Sequence, residues 1–407
     1  MSATAPASTT IRLHRLTMVT EEDGVMVGRP DIGSYALFPQ EGAEALRLLD
    51  AGTPMAGVAA WYQQTCGASL DVDDFVAALD DLKFLRGDAE DEPREAPVRW
   101  QRLGRWTFSW PALACYAALT LAAVVAMARA PYLRPTYHHI FFTQYLSLIP
   151  ITLTAALVPA ILLHESFHAL AGRRLGLPST LTIGRRFYYL VAETRLDSLF
   201  SVPKRKRYLP FLAGMIADVV LMSALTLIAA VLHDHGFPAW CAGVCLAIAF
   251  TCVLRVIWQL MLYLETDLYF VISHLLRCPD LQRATRFYIK THVRRLLHRA
   301  PPQSDADWAD RDRAFARWYA PLLIIGYGFS LCTLVWAGIP STVHFVSLIV
   351  DRFSGSQNLA AGILDALSFI VLTALQWGLV GYVAVRDRRA RTRQTSPEAS
   401  LTKGALT

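Results

Sequence analysis

Long uncharged runs are what most constrain this chain of 407 residues. Five stretches of about 20 or more residues hold almost no Asp, Glu, Lys or Arg, which is the length a helix needs to cross a bilayer core. Inside hydrocarbon the backbone must satisfy its own hydrogen bonds, so such runs fold as helices. Charged residues make up 18% of the chain, against about a quarter in soluble proteins. A purely soluble enzyme, an intrinsically disordered chain and a disulfide-stapled secreted domain are thereby excluded. The cysteines, at 66, 115, 241, 245, 252, 278 and 332, are odd in number and scattered, and read as small buried hydrophobes. Cys241 and Cys245 stand one helical turn apart but lack the further ligands a zinc site requires.

Residues 1–100 are of a different kind. They are polar, acidic around Asp71, Asp73, Asp74, Asp80 and Asp81, and open without the charged-then-apolar layout of a signal peptide. Alternating segments at 11–19 and 24–27 predict a hairpin, and helical patterns follow at 41–49, 55–65 and 72–85, with Asp71 or Asp73 placed to cap the last. The expectation is a small α+β, winged-helix-like domain joined to the membrane part by the charged linker 86–102.

Residues 101–385 predict six transmembrane helices, near 106–128, 144–171, 208–232, 239–276, 319–337 and 359–385. The fold class is therefore mainly α, a polytopic helical membrane protein with a small N-terminal α+β domain. The fourth run is nearly twice the length of a straight span and is expected to be tilted, kinked or broken near 255–259. The apolar segment 345–349 is too short to cross. Segments 172–207, 277–318 and 386–407 carry twenty-five Lys and Arg, whereas 129–143, 233–238 and 338–358 carry three. The positive-inside rule then places both termini, including the basic tail 386–407, in the cytoplasm. The net charge of +6 is accounted for by topology. The lipid bilayer is an expected partner, and nucleic acid is not.

Chemistry concentrates at the end of the second run, in His164-Glu165-Ser166-Phe167-His168. Histidines four apart on a helix are offset by about 6 Å along the axis and can grip one metal ion. Glu165 stands beside them as a candidate general base for water. Three ionisable groups in five residues of an apolar span are costly there and mark a functional cavity. The alternative, histidines bonded to backbone with Glu165 reaching the interface, leaves the placement of this triplet unexplained.

A catalytic zinc bound by two histidines needs a third protein ligand and an open position. The His pair lies roughly 8–14 Å inside the cytoplasmic edge, and Asp218 and Asp267 lie about 15 Å in on their own runs. Spacing and depth do not rank the two aspartates. Asp365 sits in the other half of the bilayer. His274 shares a helical face with Asp267 and is a candidate for supporting it from behind the ligands, although its position nearer the edge also fits an interfacial role. His233, Asp234 and His235 read as a solvated outer turn. Glu193 and Asp197, in a basic loop, are expected to pair with Arg195 or its neighbours.

With its first element at His164, Glu165 and His168, the chain resembles the site-2 protease family of intramembrane zinc metalloproteases. Members carry a later Gly-Pro-x-x-Asn element and a distal Asp-Gly element whose aspartate is the third zinc ligand. Gly214-Met215-Ile216-Ala217-Asp218 corresponds to the former, with Met215 in place of proline and Asp218 in place of asparagine. Glu265-Thr266-Asp267-Leu268 corresponds to the latter, keeping the aspartate without the glycine. The resemblance covers about 144–280. It implies Zn2+ as cofactor, Asp267 as third ligand and Asp218 as a polar group facing substrate or zinc. Residues 1–100 resemble, more weakly, PqqD-like modules that bind leader peptides. The combination is similar to the bacterial "peptide zinc metalloprotease" branch, which implies a bacterial cell membrane.

The function this predicts is zinc-dependent endopeptidase action on a peptide or a single-span membrane protein, near the cytoplasmic face. A second reading is a non-catalytic membrane module that holds a modified peptide for a neighbouring exporter or for regulation. A membrane-tethered DNA-binding regulator is disfavoured by the acidic segment 72–85, where a recognition helix would be basic.

Overall fold

The computed structural model describes residues 11–87, 97–143, 148–186, 189–196, 198–278, 281–300 and 310–338, with single positions and short pieces from 343 to 386. The chain divides into two compact units. One is built from Met1–Trp110, His168–Thr180 and Thr194–Pro210, and the other from Pro111–Phe167, Leu181–Glu193 and Phe211–Thr407.

In the first unit, strands β1 (Thr17–Glu21), β2 (Gly24–Arg29) and β3 (Ser34–Phe38) form an antiparallel meander in the order β1-β2-β3. Glu21 pairs with Gly24 across a two-residue turn, and Gly28 pairs with Tyr35. Gly28 has to be glycine, because a Cβ there would lie 1.9 Å from the Tyr35 ring. Helices α1 (Gln40–Asp50), α2 (Met55–Cys66) and α3 (Val72–Asp81) follow. Their apolar stripes supply Ala43, Leu46, Leu49, Val58 and Leu79 to a core that also takes Val25, Val27 and Phe84. The Asp71 carboxylate caps α3 by accepting from the Asp74 amide at 3.1 Å. The expected hairpin is thus a three-stranded sheet. Its first strand begins six residues later than alternation predicts, and Leu13 makes only an isolated bridge to Leu85.

Five helices among the described residues are long and apolar enough to cross a membrane. They are α5 (Trp110–Arg129), α6 (Leu148–Arg174), α7 (Lys204–Asp234), α8 (Ala239–Trp258) and α11 (Asp310–Thr333, continued by a π-helical turn over Leu334–Gly338). The architecture is that of a mainly α, multi-pass membrane protein with a small N-terminal sheet-containing domain. The expected sixth span, 359–385, lies largely outside the described residues, as do Asp365 and most of the tail from 386. The first span starts later than predicted, because the short helix α4 (Gln101–Thr107) precedes it as a separate element. Gly104 allows α4 its close approach to α6, since a Cβ there would come within 2.3 Å of the Leu170 carbonyl. The basic segment after α6, which lacks strong periodicity, contains an unanticipated two-stranded sheet of β4 (Thr180–Arg186) and β5 (Tyr189–Arg195).

The segment leading into α7 is held by the N-terminal sheet within the first unit. Ser198 Oγ donates to the Pro30 carbonyl at 3.2 Å, and the Tyr35 and Ser201 hydroxyls are 2.8 Å apart. Arg207, 1% exposed, donates to the Glu21 carboxylate and to the carbonyls of Val202 and Phe200, with its guanidinium 5.2 Å from the Phe200 ring centre. A guanidinium this deep is tolerated because every contact is to an acceptor or a ring face.

The run 239–276 is not one helix. It breaks where α8 ends at Trp258, passes through a 3-10 turn at Leu262–Leu264, and resumes as the ten-residue α9 (Asp267–Leu276), too short to cross alone. Glu265 adopts a left-handed conformation, φ +54°. The broken backbone interrupts the α-helical hydrogen bonding, and side chains take its carbonyls one after another, Leu262 O accepting from the Glu265 amide as well. Thr266 Oγ1 donates to Gln259 O at 2.7 Å, and Tyr319 Oη to Leu262 O at 3.0 Å. Gln282 Nε2 donates to Tyr263 O at 3.1 Å. Arg186 Nη1 donates to Leu264 O and Glu265 O at 3.0 and 2.6 Å. The donors come from α9's N-cap, α11, β4 and α10 (Leu281–Leu296). Leu323 packs with Tyr263 and Leu264 beside them.

Candidate metal centre

Helix α6 carries Pro159 inside it, five residues before His164. Proline cannot donate, so the carbonyl one turn back loses its partner and the helix is prone to bend there. Beyond it His164, Glu165 and His168 are 8%, 7% and 7% exposed, which places three ionisable side chains among apolar neighbours.

Each histidine has its Nδ1 engaged by an acceptor. His164 Nδ1 lies 2.9 Å from Asp218 Oδ2, and His168 Nδ1 lies 2.7 Å from the Pro210 carbonyl on α7. Because a carbonyl only accepts, His168 Nδ1 carries the hydrogen and its Nε2 presents a lone pair. A carboxylate on His164 Nδ1 sets the same tautomer. On the opposite edge, His164 Nε2 stands 3.3 Å from Asp267 Oδ2. The candidate ligand atoms of His164, His168 and Asp267 all lie within 4.8 Å of one another. Ligands at about 2.0 Å from a tetrahedral centre are separated by roughly 3.3 Å. The His164–Asp267 separation already matches that edge, so two imidazoles with their second nitrogens held, plus one carboxylate, fit a zinc ion.

Asp267 is the first residue of α9, at the end of the break. Its amide donates to Gln259 Oε1 at 3.0 Å, while Thr266, at the N-cap, is occupied with the Gln259 carbonyl. Gln259 therefore closes the break with both its backbone and its side chain. Arg186 adds an ion pair to Glu265 at 3.2 Å and another to Glu193 at 3.1 Å. This corrects the expected partner of Glu193, which is Arg186 on the same two-stranded sheet. Asp197 lies outside the described residues.

Asp218, 1% exposed, takes no place among the clustered ligands. One oxygen faces His164, and the other accepts from Arg255 Nε at 2.9 Å and from Nη2. The two aspartates that depth could not rank are thus separated by geometry: Asp267 faces the outer nitrogen of His164 and Asp218 the inner one. His274 is not in the cluster, and its ring packs edge-on against Phe211 at 5.9 Å. Cys241 and Cys245 are free thiols. His235, exposed in the turn that follows α7, bonds back to Val231 O.

Sequence reasoning assigned no role to Arg255, Gln259 or Arg186. Arg255 did leave a signal, a lone cation in an apolar run at the level of an aspartate, which in hydrocarbon has to be paired. The other two act on backbone 70 or more residues away or across a break, and left none. Comparison with protein-family models, curated proteins and solved structures finds no match for this chain.

Proposed function

We propose that this protein is a zinc-dependent, membrane-embedded endopeptidase, with His164, His168 and Asp267 holding the metal and Glu165 serving as general base. The observation that carries the reading is the meeting of His164 Nε2 and Asp267 Oδ2 at 3.3 Å, with His168 on the next turn of the same helix. The resemblance of His164–His168, Asp218 and Asp267 to site-2 protease elements supports the same assignment. Zinc held by His164, His168 and Asp267 would supply Lewis acidity toward a water and a scissile carbonyl.

The chain's own residues do the rest. Glu165, next to His164 and buried with it, takes a proton from the attacking water on its carboxylate and delivers it to the leaving amine nitrogen. Pro210 O and Asp218 hold the two imidazoles with their Nε2 atoms outward. The apolar helices around the triplet exclude bulk water, which strengthens these interactions. The excess of Lys and Arg in three of the loops supports a cytoplasmic setting for this end of α6. Residues 1–100, which resemble PqqD-like modules, are proposed to recruit a peptide or the cytoplasmic part of a single-span membrane protein.

The test is Glu165→Gln protein, purified with stoichiometric zinc, assayed in proteoliposomes against single-span reporters and peptides that the wild type cleaves. Loss of a positioned base lowers turnover by about 100-fold or more. Cleavage at the wild-type rate refutes the mechanism. Absence of zinc from the purified wild type favours the non-catalytic peptide-holding module instead.

A further inference from the structure

Where the resemblance places a neutral asparagine, this chain has Asp218, and the buried extra charge needs an explanation. The structure supplies it from α8. Arg255 donates to Asp218 Oδ1 through Nε at 2.9 Å and through Nη2, while Asp218 Oδ2 faces His164 Nδ1 at 2.9 Å. All three residues belong to the same compact unit. Arg255 Nη1 is buried without a hydrogen-bond partner among the described residues.

We propose that Arg255 and Asp218 act as one positioning unit for His164, with the guanidinium fixing the carboxylate and the carboxylate fixing the imidazole. The inference rests on the metal-centre reading above and adds to it a residue outside the ligand set. Three considerations carry it. A buried ion pair contributes little net stability and is often matched by apolar residues, so stability alone does not account for one in a membrane helix. A guanidinium with one arm unsatisfied is costlier still, and such buried unsatisfied groups recur where function demands them.

Charge is the third consideration. Asp218, 1% exposed, brings a negative charge into the span, and the Arg255 cation beside it cancels that charge. Without Arg255 it is left uncompensated against His164, so the aspartate and the arginine are needed together. Carboxylates behind ligating histidines typically change metal affinity by about 10- to 100-fold when removed. Here the carboxylate is itself held, so the effect passes to Arg255.

The experiment uses the full-length protein in detergent micelles with wild type, Arg255→Lys, Arg255→Gln, Asp218→Asn and the double variant Asp218→Asn/Arg255→Gln. Zinc affinity is measured by competition with a chromophoric chelator, Co2+-loaded protein is examined by visible absorption, and metal-free thermal unfolding reports folding. Arg255→Gln and Asp218→Asn are each expected to weaken zinc binding by about 10- to 100-fold and to alter the Co2+ spectrum. Arg255→Lys, which keeps the charge but loses the two-pronged contact, should fall between them and wild type. The double variant, in which neither charge is stranded, should weaken binding by less than the product of the two single effects.

Wild-type affinity and spectrum in Arg255→Gln overturn the inference while leaving the metal centre standing. So do multiplicative losses in the double variant. A lowered metal-free unfolding temperature with unchanged affinity shows a merely structural pair and likewise overturns it. Wild type that binds no zinc at all overturns both the inference and the metal-centre reading.

Discussion

Replacing Gln259 by leucine tests how Asp267, the proposed third ligand, is held. The change keeps the volume and shape of a buried side chain, 6% exposed in the native protein, and removes the oxygen that accepts the Asp267 amide at 3.0 Å. An N–H stranded away from water costs about 1–3 kcal/mol, and because this one is only partly buried the lower half of that range applies. At about 1.4 kcal/mol per tenfold in an equilibrium constant, α9 gives up roughly one order of magnitude in zinc affinity by letting Asp267 drift. Gln259→Glu keeps an acceptor at the same place and is expected to retain wild-type affinity. The assay is chelator competition on detergent-purified protein, with metal-free unfolding as the folding control. If the leucine variant is folded and binds zinc as tightly as wild type, or if leucine and glutamate weaken binding equally, the closure of the break by Gln259 is not what positions Asp267.

Two further substitutions probe the first unit. Gly104→Ala puts a methyl group 2.3 Å from the Leu170 carbonyl, forcing α4 back by about 1 Å; overpacking of this kind costs about 1–3 kcal/mol, and an unchanged unfolding temperature refutes the contact. Arg207→Met strands the Glu21 carboxylate and two carbonyls, for which removal of one partner of a buried pair costs about 3–5 kcal/mol. The expected readout is faster trypsin cleavage within residues 11–87 and a lower unfolding temperature. Equal protection in variant and wild type refutes the docking of the sheet through Arg207.

The sequence made the apolar spans and the His164–His168 pairing legible because both are local. Length, charge content and a four-residue spacing decide them without knowledge of anything distant. The break in the run 239–276 was legible for the same reason, since the run is simply too long. The break starts where expected, with α8 ending at Trp258, but extends to Thr266, because contacts from β4, α10 and α11 hold the carbonyls of 262–265 out of a continuous helix with no proline or glycine in that stretch. The separation of Asp267 from Asp218 as candidate ligands needed three dimensions, since only the direction of each carboxylate around the His164 ring tells them apart. The β4 and β5 strands escaped notice because in Thr180–Arg186 the apolar Leu181 and Ile183 stand on the exposed face while Thr182, Gly184 and Arg186 take the half-buried one, the reverse of the usual alternation.

The side chains that fasten carbonyls 262–265 have a consequence in time. Of the donors, Arg186 precedes Asp267 in the chain, whereas Gln282 on α10 and Tyr319 on α11 follow it. During synthesis His164, Glu165, His168 and Asp267 therefore all emerge from the ribosome before the groups that lock the last of them in place. A nascent chain that has inserted only through α9 has all three candidate ligands yet lacks the side-chain clamps on Leu262 and Tyr263. On the proposed reading, competence to bind a metal would arrive only with the insertion of α11, so that a half-made chain would stay inactive in the membrane that is building it.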